Sequence, residues 1–145
     1  MIDTLTGIVG ANYVLTGKDT AKWERDWTGA YVATPFAVVR PGNTAEVAAI
    51  MDAAHNAGQA VVPVSGNTGL NGGAFGEGAL LLSVDRLNQI EAIDAAGRTA
   101  TVGAGVILSQ LHEAVDAHDL IFTLTFGARG SAMIGGVLST NAGGS

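Results

Sequence analysis

The chain contains no cysteine, which removes disulfides, thiolate zinc sites and a cysteine nucleophile together. Redox chemistry would therefore need an organic cofactor. Cations are scarce as well: Lys and Arg total 7 against 13 Asp and Glu, giving a net charge of -6 and a pI near 4.7. Nucleic acid and anionic membrane surfaces both demand a basic face, so neither is expected as a partner. No apolar run approaches the roughly 20 residues that cross a bilayer. The opening Met1-Ile-Asp-Thr-Leu-Thr-Gly7 lacks a basic leader and a cleavage site, and a cytoplasmic location is expected. The histidines are few and dispersed. His55 sits on the outer face of one expected helix, and His112 and His118 are six residues apart on another, so they share no face and no metal site is expected. Neither G-x-G-x-x-G nor G-x-x-x-x-G-K-[ST] occurs, which excludes the two common phosphate loops on pattern. Internal repeats, low-complexity tails and charge blocks are also missing.

What the chain does have is glycine, 21 residues of it in 145, within a composition that is 48% hydrophobic. Such a chain is long enough to bury a core. Two glycine clusters stand out. The first ends a β-branched run, Val61-Val-Pro-Val-Ser-Gly-Asn-Thr-Gly-Leu-Asn-Gly-Gly73. With no Cβ at Gly66, Gly69, Gly72 and Gly73, successive backbone N–H groups can turn inward and form a nest for an anion such as phosphate. The second cluster is Phe126-Gly-Ala-Arg-Gly-Ser-Ala-Met-Ile-Gly-Gly-Val-Leu-Ser-Thr-Asn-Ala-Gly-Gly144. In it small residues alternate with hydroxyl and amide side chains.

Periodicity places these clusters in an α+β chain. Leu5, Ile8 and Val9 predict a short helix ended by Gly10, followed by an extended Tyr13-Val-Leu15. Phe36 to Arg40 reads as a buried strand broken by Pro41-Gly42. Asn43 and Glu46 form a capping box before an apolar face of Val47, Ile50, Met51 and Ala54, and Gly58 ends that helix in the left-handed conformation. Ala60 to Val64 then completes a βαβ unit, whose parallel pairing delivers the first glycine cluster at a strand's C-terminal end. Ala79 to Val84 is a fully apolar strand, with a turn at Asp85 to Asn88. A boundary near Leu87 divides residues 1–86, a parallel subdomain, from residues 87–145, where the alternations Gln89 to Ile93 and Thr99 to Ala104 predict an antiparallel hairpin. A helix over Leu108 to Ala117 follows, with Leu108, Leu111 and Val115 inward. Trp23, Trp27 and Tyr31 are expected to pack against the domain surface and carry no site role.

Together the clusters resemble the FAD domain (PCMH-type) of the vanillyl-alcohol oxidase-like flavoproteins, and within them the D-2-hydroxyglutarate and D-lactate dehydrogenase branch. Ser65-Gly-Asn-Thr-Gly-Leu70 and Gly127-Ala-Arg-Gly-Ser-Ala-Met-Ile-Gly-Gly136 carry the likeness, with Asp26-Trp-Thr-Gly29, Ala37-Val-Val-Arg-Pro41 and Ala45-Glu-Val-Ala-Ala-Ile50 in the family's order. It covers the chain from about Leu5 onward. The resemblance implies that Ser65, Gly66, Asn67, Thr68, Gly69, Leu70, Gly72 and Gly73 wrap the FAD pyrophosphate. It further implies that Gly127, Gly130, Ser131, Ile134, Gly135, Gly136, Thr140, Asn141 and Gly143 line the flavin and ribityl side. Ile134 also reads as a packing residue, and Ser131, Thr140 and Asn141 as polar groups in an apolar setting that need partners. Arg129 is the only cation in either cluster; facing the cofactor phosphate and lying solvated on the surface are about equally supported.

Some members of the family tether FAD through a histidine where this chain has Thr68, so a non-covalent flavin is implied. Two departures are expected to weaken one helix: Ile107 replaces a capping threonine, and Asp119 stands where glycine is usual. By resemblance the general base, the substrate-carboxylate cations and the metal-binding histidines lie in a C-terminal region outside these residues. No catalytic residue is therefore assigned. The implied activity is hydride transfer from the α-carbon of a D-2-hydroxy acid to the flavin, the chain alone being inactive and marginally folded, with a separate C-terminal chain as a candidate complement. A non-catalytic nucleotide-binding module, or another flavoenzyme sharing the domain, are the alternatives.

Overall fold

A computed structural model describes residues 1–144. Four strands, β1 (Val14–Leu15), β2 (Ala37–Val39), β3 (Val61–Val64) and β4 (Leu80–Ser83), form one sheet in the order β1-β2-β4-β3. β4 runs parallel to both of its neighbours, and β1 closes the other edge antiparallel to β2. The βαβ expectation is corrected here. β2 and β3 flank α2 (Thr44–Asn56) in sequence but do not pair, because β4 lies between them. The physical reason lies in composition: every residue of Leu80-Leu-Leu-Ser83 is buried, and a strand apolar on both faces belongs at a sheet's centre.

The alternation of side chains along these strands divides the core. Ala37, Val39, Leu80 and Leu82 face α1 (Ile2–Val9) and α2, meeting Leu5, Val9, Ile50 and Ala54. Val38, Leu81 and Val64 point the other way and meet Trp23, at the end of a 3₁₀ stretch over Gly17–Trp23. Gly10 ends α1 with φ 87° and its N–H on the Thr6 carbonyl. At the start of α2, Asn43 Oδ1 accepts the Glu46 N–H at 2.9 Å, while the Glu46 carboxylate reaches one residue further back than a simple capping box, to the Gly42 N–H at 2.7 Å. Three expectations about burial fail. Met51, Phe36 and Trp27 are exposed, Trp27 by 86%, because Met51 sits at the edge of the helix stripe and Phe36 lies one residue before the paired strand.

A separate hairpin, β5 (Ile90–Asp94) and β6 (Thr99–Val102), is antiparallel with an irregularity between Ile90 and Ala92. Both strands are largely exposed. α3 (Leu108–Asp116) buries Leu108, Leu111 and Val115 against Val106 and Ile134, and α4 (Ile134–Ser139) lies inside the second glycine cluster, a helix that its small residues had hidden. The first two apolar clusters draw only on residues up to Val84, and the third only on residues from Ile93. Between them, Gly103 and Gly105 press against the Val84 to Leu87 turn. A Cβ on either would strike the carbonyl of Leu87 or Val84; the Gly105 N–H is bonded there, to the Leu87 carbonyl, and the Gly103 N–H just beyond, to the Gln89 carbonyl.

Candidate functional site

The first glycine cluster leaves the C-terminal end of β3, and the backbone of the second is laced to the start of α3. Leu108 N–H donates to the Ala132 carbonyl and Ile134 N–H to the Val106 carbonyl, both at 2.9 Å. Gly135 N–H reaches the Ala104 carbonyl at 2.8 Å. These bonds swing the second cluster against the first. A Cβ at Gly66 would overlap the Ser131 carbonyl, and one at Gly136 would come within 3.0 Å of the Ser65 side chain. Gly66 therefore serves close contact between the loops, an approach that a Cβ would block.

Two clefts open on either side of this seam. One, of about 520 Å³, is lined from the first cluster by Ser65, Gly66, Asn67, Thr68, Gly69 and Gly73. Its opposite wall includes Gly135, Gly136 and Thr140, together with the apolar Phe126, Val84 and Val137. No charged side chain lines it. The other cleft, of about 620 Å³, shares Ser65, Gly66, Asn67 and Met133 with the first and adds Gly130 and Ser131.

The remaining expected site residues fall elsewhere. Leu70, Gly127, Asn141 and Gly143 are exposed and line neither cleft, as does the side chain of Arg129. Gly72, with φ 73°, backs onto the Tyr31 ring. Ile134 is buried in the third apolar cluster, as its packing role requires. The expectation of polar groups stranded in an apolar setting is overturned. Ser131 and Asn141 are exposed, and Thr140 Oγ1 donates to the Gly136 carbonyl at 2.9 Å. Asn141 ends α4: it has φ 48°, and Ala142 N–H bonds the Val137 carbonyl at 2.9 Å, a Schellman closure.

The backbone of the first cluster is the decisive feature. From Gly66 to Gly72 no N–H donates to any acceptor among the described residues. Gly69 to Asn71 are exposed, so their donors are open to solvent or to a ligand, and the chain bends through the left-handed region at Asn67, φ 51°. A left-handed residue within a run of unpaired donors is what an anion-binding nest requires. A Cβ built on Gly69 meets only Asn71 Oδ1, at 3.7 Å, so the space beside it is left open by the protein. Residues that are neutral, small and rich in free N–H donors fit a pyrophosphate in a chain with so few cations.

Around this site three groups are fixed by polar contacts. Asp26 accepts from the Thr28 hydroxyl at 2.6 Å and from the Tyr31 N–H at 3.1 Å. The Thr28 hydrogen bond, ahead of the backbone ones and against partial burial, holds its carboxyl below the usual aspartate value. Arg40 and Asp85 pair at 2.9 Å at the ends of β2 and β4. His112, uninformative in the sequence, donates Nε2–H to the Leu124 carbonyl at 2.9 Å and so fastens the segment leading to Phe126.

A family model described as "FAD binding domain" matches residues 35–145. The chain belongs to the FAD-binding domain family. It is 43% identical over 127 residues to a D-2-hydroxyglutarate dehydrogenase of Xanthomonas citri pv. viticola, covering 87% of this chain and 27% of that protein. It is 42% identical to a D-lactate dehydrogenase of Archaeoglobus fulgidus, covering 77% of this chain and 25% of that one. The chain thus spans about a quarter to a third of these relatives' length. Among solved structures, an alkyldihydroxyacetonephosphate synthase superposes with TM-score 0.86 at 16% identity, over 99% of this chain and 32% of that one. A 4-ethylphenol oxidase from Gulosibacter chungangensis gives 0.80 at 24% identity, over 94% and 27%. At such identities the FAD-binding domain shares their fold.

Proposed function

We propose that this domain holds FAD without a covalent bond for a D-2-hydroxy-acid dehydrogenase. The observation that carries the reading is the unbroken run of free N–H groups from Gly66 to Gly72 beside an uncharged cleft. On this reading the first cluster holds the pyrophosphate. Gly135, Gly136 and Thr140 border the flavin and ribityl chain, and the apolar Phe126, Val84 and Val137 shield them from water. A bound flavin supplies the acceptor for a hydride leaving the substrate's α-carbon, and the chain supplies position and exclusion of water. The relatives' names, D-2-hydroxyglutarate and D-lactate dehydrogenase, point to a small 2-hydroxy acid as substrate. Its binding groups and base would come from outside these residues, in the same polypeptide or in a complementing one. A division into subdomains near Leu87 and a cytoplasmic location belong to the same proposal; no helix among the described residues is long and apolar enough to cross a membrane.

The test is to load the chain with FAD, remove excess and precipitate it with acid. Yellow colour bound before precipitation and wholly released to the supernatant is expected, since Thr68 offers no imidazole and the chain no thiol. No bound flavin, or flavin that stays in the pellet, contradicts the reading.

A further inference from the structure

The first cluster carries the only Asn-Gly pair in the chain, Asn71-Gly72. An asparagine amide is open to attack by the backbone nitrogen of the next residue, and glycine shields that nitrogen least because it has no Cβ. The other asparagines are better protected. Asn43 and Asn67 precede threonine, whose branched Cβ crowds the nitrogen, and Asn88 precedes the full side chain of Gln89. Asn12, Asn56 and Asn141 precede an N–H that is already bonded, to the Gly10, Ala53 and Val137 carbonyls respectively. At Asn71 three conditions meet. The residue is exposed, so water and base reach it. The Gly72 N–H has no acceptor among the described residues. The side chain folds over the glycine run: Asn71 Oδ1 accepts the Gly73 N–H at 3.3 Å and lies 3.7 Å from where a Cβ on Gly69 would sit. That hydrogen bond draws electron density from Cγ and steadies the oxyanion formed when Cγ is attacked.

We propose that Asn71-Gly72 is a self-modifying site, whose conversion to aspartate or isoaspartate turns this donor run against anions. The deprotonated Gly72 nitrogen bonds to Asn71 Cγ, and the Cγ–Nδ2 bond breaks, releasing ammonia and leaving a cyclic succinimide. Water then opens either C–N bond of the ring, giving aspartate or isoaspartate. No electrons are exchanged, and a neutral amide becomes a carboxylate. Asn71 also lines the cleft that has no charged side chain, so nothing there offsets the new negative charge. Isoaspartate further lengthens the main chain by one carbon within the donor run, which moves the Gly72 and Gly73 N–H groups out of register. The resulting loss of cofactor rests on the flavin reading above; the chemistry at Asn71 does not.

The test is to age the 145-residue chain in mildly alkaline buffer with and without saturating FAD, map it by mass spectrometry and titrate it with FAD. The mass gain of an amide-to-acid conversion should appear at Asn71 ahead of every other asparagine, with FAD affinity about tenfold weaker in the converted fraction. Bound FAD should slow the conversion, because its phosphate occupies the Gly72 N–H. Asn71→Gln, whose longer side chain closes the ring poorly, should keep its mass and its starting affinity through the same incubation. Asn71→Asp should bind FAD about tenfold more weakly from the outset. An unchanged mass, or conversion first at another asparagine, overturns the site, and conversion at Asn71 with FAD affinity unchanged overturns its consequence. If the fresh chain binds no FAD, the flavin reading has failed and the mapped mass alone decides the site.

Discussion

Gly66 and Gly69 lie three residues apart and answer to different constraints. At Gly66 an added methyl meets the Ser131 carbonyl and Ala132 Cα, backbone atoms that the second cluster's hydrogen bonds keep in place. Gly66→Ala should therefore lower stability by about 1 to 3 kcal/mol and lose FAD as a consequence of the loops parting. At Gly69 no protein atom crowds the methyl, and the backbone has ordinary φ. Gly69→Ala should melt within about 0.5 kcal/mol of the parent and still lose FAD affinity. Thermal melts paired with flavin titrations check both; equal behaviour of the two variants would remove the distinction. Asp26 offers a second test. Its carboxyl is held low by Thr28 and the backbone, so the unfolded chain binds its proton more readily. The stabilisation is full above the unfolded value, about 3.9, and is lost as pH falls through the lower folded one. Asp26→Asn should be less stable at pH 7, and the gap should close in strong acid; a gap independent of pH would refute the assignment. The glycines themselves were legible from the sequence. Which of them faces protein and which faces open space was not, because the second cluster's approach is set by long-range backbone bonds.

Three helices end in one motif with three different residues. Gly58 after α2, Asp119 after α3 and Asn141 after α4 all have positive φ, at 64°, 57° and 48°. Each is followed by a residue whose N–H returns to the last turn: Gln59 to Ala54, Leu120 to Val115, Ala142 to Val137. Glycine fits that backbone freely, asparagine less so, and aspartate adds a negative charge at the helix end where the dipole disfavours it. Asp119→Gly should stabilise the chain by about 0.5 to 1 kcal/mol, read as a rise in the denaturant midpoint. No change, or a loss, would contradict the cap assignment. At the other end of α3, Ile107 has no side-chain acceptor, and only Gln110 Oε1 returns a bond, 3.3 Å from the Ile107 N–H. Both weak ends were visible in the sequence because capping is local chemistry. The pairing of β4 between β2 and β3 was not, although its apolar run was legible, since strand order is a long-range choice that no local pattern encodes. The short α4 also escaped notice: Ile134-Gly-Gly-Val-Leu-Ser139 has poor helix propensity and is held by its bonds to Ala104 and Val106.

At the scale of the whole molecule, the four-stranded sheet with α1 and α2 has a closed core, while the hairpin β5 and β6 stands largely in solvent. Two strands alone are marginal in water. The 145-residue chain by itself should therefore bind a hydrophobic dye and fail to reduce a dye acceptor with D-2-hydroxyglutarate or D-lactate, since on the proposed reading the base for hydride transfer comes from outside these residues. Turnover of either acid by the pure chain would overturn that expectation. The central claim is narrower: the backbone from Gly66 to Gly72 holds the pyrophosphate of FAD. Amide chemical shifts of the ¹⁵N-labelled chain, recorded during an FAD titration, test it most directly. The N–H signals of Gly66 to Gly72 should move together, with the largest downfield shifts in the chain, as donors without an acceptor acquire one. Binding of FAD that leaves those signals in place while shifting others would contradict the account.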